Sequence, residues 1–175
     1  MFRTIRNGLF AGIAAVAMAS SAEAVVFDFS FSNVEGPVAG TVEGSLTLPD
    51  GDGMFAATSV IVDSAPAALG YTLPFDVLAN LTLVVANSFT VAGGSITDAE
   101  FAAQDDPFLG SGLSLGFTGF GSVLSIFQTG SVNDGVIDVS NSTLTFSRVA
   151  VPVPATAALL VGGLAAVGIA RRRKA

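Results

Sequence analysis

The sequence predicts an all-β body, an antiparallel β-sandwich or jelly roll, with a signal peptide before it and one apolar helix after it. Three observations carry the prediction. From Val25 to about Arg148 the chain alternates apolar and polar residues at period two and lacks helical periodicity. Its runs are rich in Val, Ile, Phe and Thr, which suit a half-buried pleated surface. Glycine, asparagine and aspartate cluster between the runs, where tight turns need residues that tolerate positive φ.

Residues 1–24 read MFRTIRNGLFAGIAAVAMASSAEA. Arg3 and Arg6 form a basic start, Gly8 to Ala19 is uncharged and mostly apolar, and Ala22 and Ala24 flank Glu23 as a small-x-small site. In that order the three parts make a secretory signal, cut by signal peptidase after Ala24 to leave Val25 first. Export follows as the expectation.

Residues 25–148 form the body. In VVFDFSFS, Phe27, Phe29 and Phe31 share one face while Asp28, Ser30 and Ser32 share the other. In TVEGSLTL, Val42, Leu46 and Leu48 oppose Thr41, Glu43, Ser45 and Thr47, with Gly44 on the apolar side. LTLVV (81–85), GLSLGF (112–117), SVLSIF (122–127), GVIDV (135–139) and STLTFS (142–147) are further expected strands. PDGDG (49–53), AGG (92–94) and NDG (133–135) are expected turns, the first as a hairpin. ITDAEFAAQ (96–104) is expected as a short helix, with Thr97 as its cap and Glu100 three positions on. Twelve Phe between Val25 and Ala150, with many Val, Leu and Ile, can fill one two-layer core.

Composition narrows the function. The 175 residues carry a formal charge of −7, but six of the seven bases are terminal. From Val25 to Ala150 one base, Arg148, faces thirteen acids, a formal charge of −12. Such a surface repels phosphate backbones and anionic lipid, so no nucleic-acid partner is expected. The chain has no cysteine and no histidine, which removes disulfides, thiolate metal sites and the commonest general base.

Short motifs in the body carry little chemistry. GLSLG (112–116) matches a nucleophile elbow, but no histidine exists to activate Ser114, and a strand explains the pattern. GDGMFA (51–56) lacks the βαβ context of a dinucleotide site, and Asp52 would repel a pyrophosphate. Asp50 and Asp52 could open a calcium loop, but Met54, Phe55 and Ala56 end the ligand pattern. A calcium site completed by Asp105 and Asp106 is the one metal candidate. Nothing marks one carboxylate pair for glycoside cleavage over another. The expected protein is therefore not an enzyme and has no resident cofactor.

Residues 149–175 close the chain. VPVPA (151–155) is followed by sixteen uncharged residues, 155–170, and then by Arg171, Arg172, Arg173 and Lys174. At about 1.5 Å per residue the run is near 24 Å, against a bilayer core of about 30 Å. Counting back to Val149, it just spans as a transmembrane helix, and the basic residues stop transfer on the cytoplasmic side. Pro152 and Pro154 hold the preceding segment extended, the form that processing enzymes grip.

Val151, Pro152, Val153, Pro154 and Ala155, then the Gly/Ala/Leu-rich run, then the basic end resemble the VPLPA-CTERM sorting signal, a variant of PEP-CTERM. Val153 stands where that motif has leucine. The resemblance covers residues 151–175 and implies recognition by an exosortase, an integral-membrane transpeptidase-like enzyme. It further implies a Gram-negative host that builds exopolysaccharide or biofilm. The protein would be anchored in the inner membrane as an intermediate, then released or attached at the cell surface or matrix. The expected role is structural or adhesive, with exopolysaccharide as a candidate partner. The alternative is a membrane-tethered module that binds calcium or a glycan and keeps its anchor.

Overall fold

A computed structural model of the protein describes residues 23–105, 111–117, 121–127 and 134–150. The strands are β1 (Ala24–Ser32), β2 (Thr41–Pro49), β3 (Gly53–Phe55), β4 (Ser59–Ser64), β5 (Phe75–Asp76), β6 (Leu83–Ala92), β7 (Ser95–Gln104), β8 (Gly112–Gly116), β9 (Ser122–Ser125), β10 (Gly135–Asp138) and β11 (Thr145–Arg148). One short helix, α1 (Val77–Asn80), precedes β6. All pairings are antiparallel, in a five-stranded sheet β11-β1-β2-β4-β5 and a six-stranded sheet β10-β9-β8-β7-β6-β3.

The predicted alternation is realised in β1 and β2. Val25, Phe27, Phe29 and Phe31 are buried and pair with Leu48, Leu46, Gly44 and Val42. Across the core, Phe89 on β6 stacks on Phe101 of β7 with ring centres 6.1 Å apart. Phe146 of β11 meets Phe89 edge-on at 6.2 Å and Phe117 at 5.8 Å, so one ring joins the two sheets. Each fully buried Phe contributes about 1.5–3 kcal/mol from area alone. Gly44 is forced by crowding: a Cβ there would overlap the Ile61 carbonyl oxygen and lie 2.5 Å from the Phe29 ring.

Three expectations are corrected. Residues 96–104 are not a helix but most of β7. The register shifts between Thr90 and Val91, which pair with Asp98 and Ile96, so the strand carries an extra residue there. Buried Ile96 is therefore out of step with Ala99, Phe101 and Ala103, which alternate behind it. The Thr97 hydroxyl donates to the Thr90 carbonyl across the sheet, at 3.3 Å, instead of capping a helix.

PDGDG is not a hairpin. Residues 50–52 carry the chain from β2 in one sheet to β3 in the other. Asn87 pins the return crossover from β3 to β4, accepting from the Ala57 amide at 2.7 Å and donating to its carbonyl at 3.0 Å. NDG is no tight turn either: Gly135 opens β10 opposite Ser125, so the connection from β9 is long, and Asn133 lies outside the described residues. AGG does make the expected hairpin: Gly93 and Gly94, at φ 59° and 76°, join Ala92 to its partner Ser95.

The β1–β2 loop seals the β10 edge. Val34 and Val38 donate to the carbonyls of Ile137 and Gly135 at 2.8 and 3.1 Å, and Asn33 Oδ1 accepts from the Ile137 amide at 3.0 Å. An edge covered in this way offers no template for another chain. Among the described residues no helix is long and apolar enough to cross a membrane. The signal-cleavage residue Ala22, the sorting motif 151–155, the apolar stretch 155–170 and the basic tail 171–174 lie outside the described residues.

Candidate functional site

The outward side of the five-stranded sheet is polar from strand to strand. Asp28 and Ser30 come from β1, Glu43 from β2, Asp63 from β4, and Thr145 and Ser147 from β11. Period-two alternation places them there: when Phe27, Phe29 and Leu46 turn inward, their neighbours turn out. Together with Phe29 and Gly44 they line a groove of about 360 Å³. Ser45 donates to Asp63 Oδ2 at 3.3 Å. The one base of the body, Arg148, pairs with Phe27 on the opposite side of the sheet, so no cation of the body offsets the groove's carboxylates. The groove can accept hydrogen bonds from hydroxyls and attract cations, and it repels anions.

The calcium candidates do not converge. Asp50 and Asp52 sit where β2 crosses to β3, and Asp52 Oδ1 accepts from the Gly94 amide at 3.4 Å, beside the start of β7. Asp105 follows the far end of that ten-residue strand, roughly 30 Å away at about 3.3 Å per residue. Its amide and carbonyl are engaged by Ser111 and Thr82. Asp106 lies outside the described residues. Among the described residues no group of three or more acidic side chains is arranged to hold a metal ion. Ser114 lies mid-strand between Ala102 and Val123, not at a strand-to-helix turn, so it is no nucleophile elbow.

Two polar groups inside the fold stand in opposite environments. Asp138 has no exposed surface. Its Oδ1 accepts from the Ser140 hydroxyl at 3.0 Å and the Ser142 amide at 3.0 Å. Its Oδ2 accepts from the Thr143 amide at 2.7 Å and the Thr143 hydroxyl at 2.6 Å. Burial alone would raise this carboxyl, but the donors of Thr143, Ser142 and Ser140 outweigh it and hold the group below its ordinary value of 3.8. With three residues engaged on one carboxylate, Asp138 is a structural knot and has no coordination to spare. The Tyr71 hydroxyl is the reverse case, buried and without a hydrogen-bond partner. Burial raises it above 10.0, and the neighbouring Ser111 and Ser125 hydroxyls offset part of that rise.

Both chain ends leave the sandwich at one pole. β1 starts at Ala24 and its antiparallel neighbour β11 stops at Arg148. The Val149 amide donates to the Val26 carbonyl at 2.9 Å, and the Asp50 amide to the Glu23 carbonyl at 2.7 Å. Arg148 closes this pole with an ion pair to Asp50 Oδ1 at 2.9 Å.

Fold and site together define an acidic, two-sheet antiparallel β-domain whose first and last strands are neighbours. No family model matches the chain, and no curated protein or solved structure matches it either.

Sequence reasoning missed β3, β4, β5 and the part of β6 beyond residue 85, along with the Asp138 knot and the groove. β4 was detectable, since Val60 and Val62 alternate in SVIVDS. The knot had a faint signal, hydroxyl residues two, four and five positions after Asp138. The groove had none, because it depends on which strands lie side by side.

Proposed function

We propose that this protein is an exported, exosortase-sorted surface or extracellular-matrix protein of a Gram-negative bacterium. Its role is structural or adhesive and tied to exopolysaccharide or biofilm, with a jelly-roll-like sandwich as the displayed body. The observation that carries this is the common pole. β1 begins at Ala24, one residue before the expected mature start at Val25, and among the described residues the last backbone bond beside β1 is made by Val149, two residues before the VPVPA motif. A sandwich built in this way hands both routing segments to the same membrane side and presents its acidic flank outward. Signal peptidase and the exosortase are its processing partners, with the apolar run 155–170 spanning the inner membrane between the two cuts. Deleting residues 151–175 tests this: the truncated protein is expected free in the medium, and unchanged retention at the surface would contradict sorting.

A second reading is a membrane-tethered glycan- or calcium-binding module, and the groove of Asp28, Glu43 and Asp63 with its hydroxyls supports its glycan form, since these carboxylates are not arranged to hold a metal ion. A groove of about 360 Å³ suits a small ligand. Titrating the full chain with calcium to millimolar levels, and with the host's purified exopolysaccharide, decides it. Saturable heat abolished by Asp28→Asn with Asp63→Asn favours this reading, and none removes it.

A further inference from the structure

We infer that Arg148 is a positioning residue, a latch that sets how much extended chain is free beside the 151–155 motif. The inference rests on the sorting reading above.

The register pairs Arg148 with Phe27, which puts its side chain on the core-facing side of β11. A guanidinium cannot stay there unpaired. It runs out over the pole instead, its stem bordering a small cavity with Val25, Phe27 and Val91, and its head reaching Asp50. Gly94 gives it room, since a Cβ there would lie 3.1 Å from Nη1. Past Arg148, among the described residues, the edge strand makes one more backbone bond, from the Val149 amide to the Val26 carbonyl. Ala150 alone then separates the fastened chain from Val151.

An enzyme that grips a motif as extended chain needs free backbone on both of its sides. Here the wall of the sandwich stands one residue away. Releasing Val149 and Arg148 adds two residues, about 7 Å at about 3.3 Å each. The frayed and latched states of this strand end therefore set the fraction of molecules open to processing. The side chains of Arg148 and Asp50 are 47% and 43% exposed. A pair so placed is weak and screened by salt, as a latch that must open requires.

The test compares wild type, Arg148→Gln, Arg148→Lys and versions of each with Gly-Ser-Gly-Ser inserted between Ala150 and Val151. The processed fraction at early times is read by intact mass in the native host. Exchange of the Val149 amide is read in the purified full chain in detergent. Arg148→Gln is expected to raise both by about two- to fivefold, with Arg148→Lys near wild type. The spacer should make processing fast whatever stands at 148, which a purely structural role for Arg148 would not produce. Equal processing of wild type and Arg148→Gln overturns the latch, as does a spacer series that still depends on residue 148. A wild type that retains Ala175 overturns the sorting reading and this role with it, while the exchange result still reports whether the pair fastens the strand.

Discussion

The last strand of the sandwich is fastened at both ends, by opposite means. At its start, the Asp138 carboxylate is fully buried and organises Ser140, Ser142 and Thr143, and Thr143 in turn accepts from the Ser32 amide of β1 at 2.9 Å. At its end, Arg148 and Asp50 form a half-exposed ion pair. Both fastenings use a carboxylate, and burial separates their worth. The buried anion cannot lose its donors to water without a large desolvation cost, so it is permanent. The exposed pair exchanges protein for water at little cost, so it can open. The difference teaches where the molecule is built to stay and where it is built to yield, and the yielding end is the one next to the motif.

The largest effect should come from the buried end. Asp138→Ala strands the amide and hydroxyl donors of the loop and is expected to cost about 3–5 kcal/mol, read as a lower urea midpoint. A loss below about 1 kcal/mol would break the contrast.

Acid should sharpen it. Asp138 is held below 3.8 when folded, so its contribution is complete above that value and is lost as pH falls through the lower folded value. Stability should therefore fall more steeply below pH 3.8 in wild type than in Asp138→Asn, followed by thermal melts across that window.

Tyr71 offers the complementary case, a buried hydroxyl that makes no hydrogen bond of ordinary geometry although Ser111 and Ser125 lie beside it. Its ring packs edge-on against Phe75 and Phe127 at 4.9 and 5.1 Å, contacts that Phe would keep. Tyr71→Phe is expected to be neutral or stabilising by about 1 kcal/mol in the same denaturation assay. The smallest effect belongs to the exposed end, where Arg148→Gln should cost under about 1 kcal/mol and vanish in high salt.

Much of the fold was legible because alternation in β1 and β2 is a one-dimensional signal that survives without neighbours. The misreading of 96–104 rested on a local signal, Thr97 with Glu100 three positions on, which pairing with β6 and β8 overrode; the extra residue in β7 had broken the alternation that would have announced a strand. PDGDG was read by its turn chemistry alone, which reports a change of direction but not which sheet the chain enters next. The acidic groove and the Arg148–Asp50 pair join residues far apart in sequence. Strand order creates them, and no local pattern announces it. Of the residues singled out beforehand, Asp50 and Asp52 lie at the pole of the chain ends, and Asp105 lies at the other end of β7.

The account turns on processing at both ends of one pole, and intact mass of the mature protein from its own host tests it most directly. The expected species starts at Val25 and ends within 151–155. A species that still carries Ala175 would contradict it.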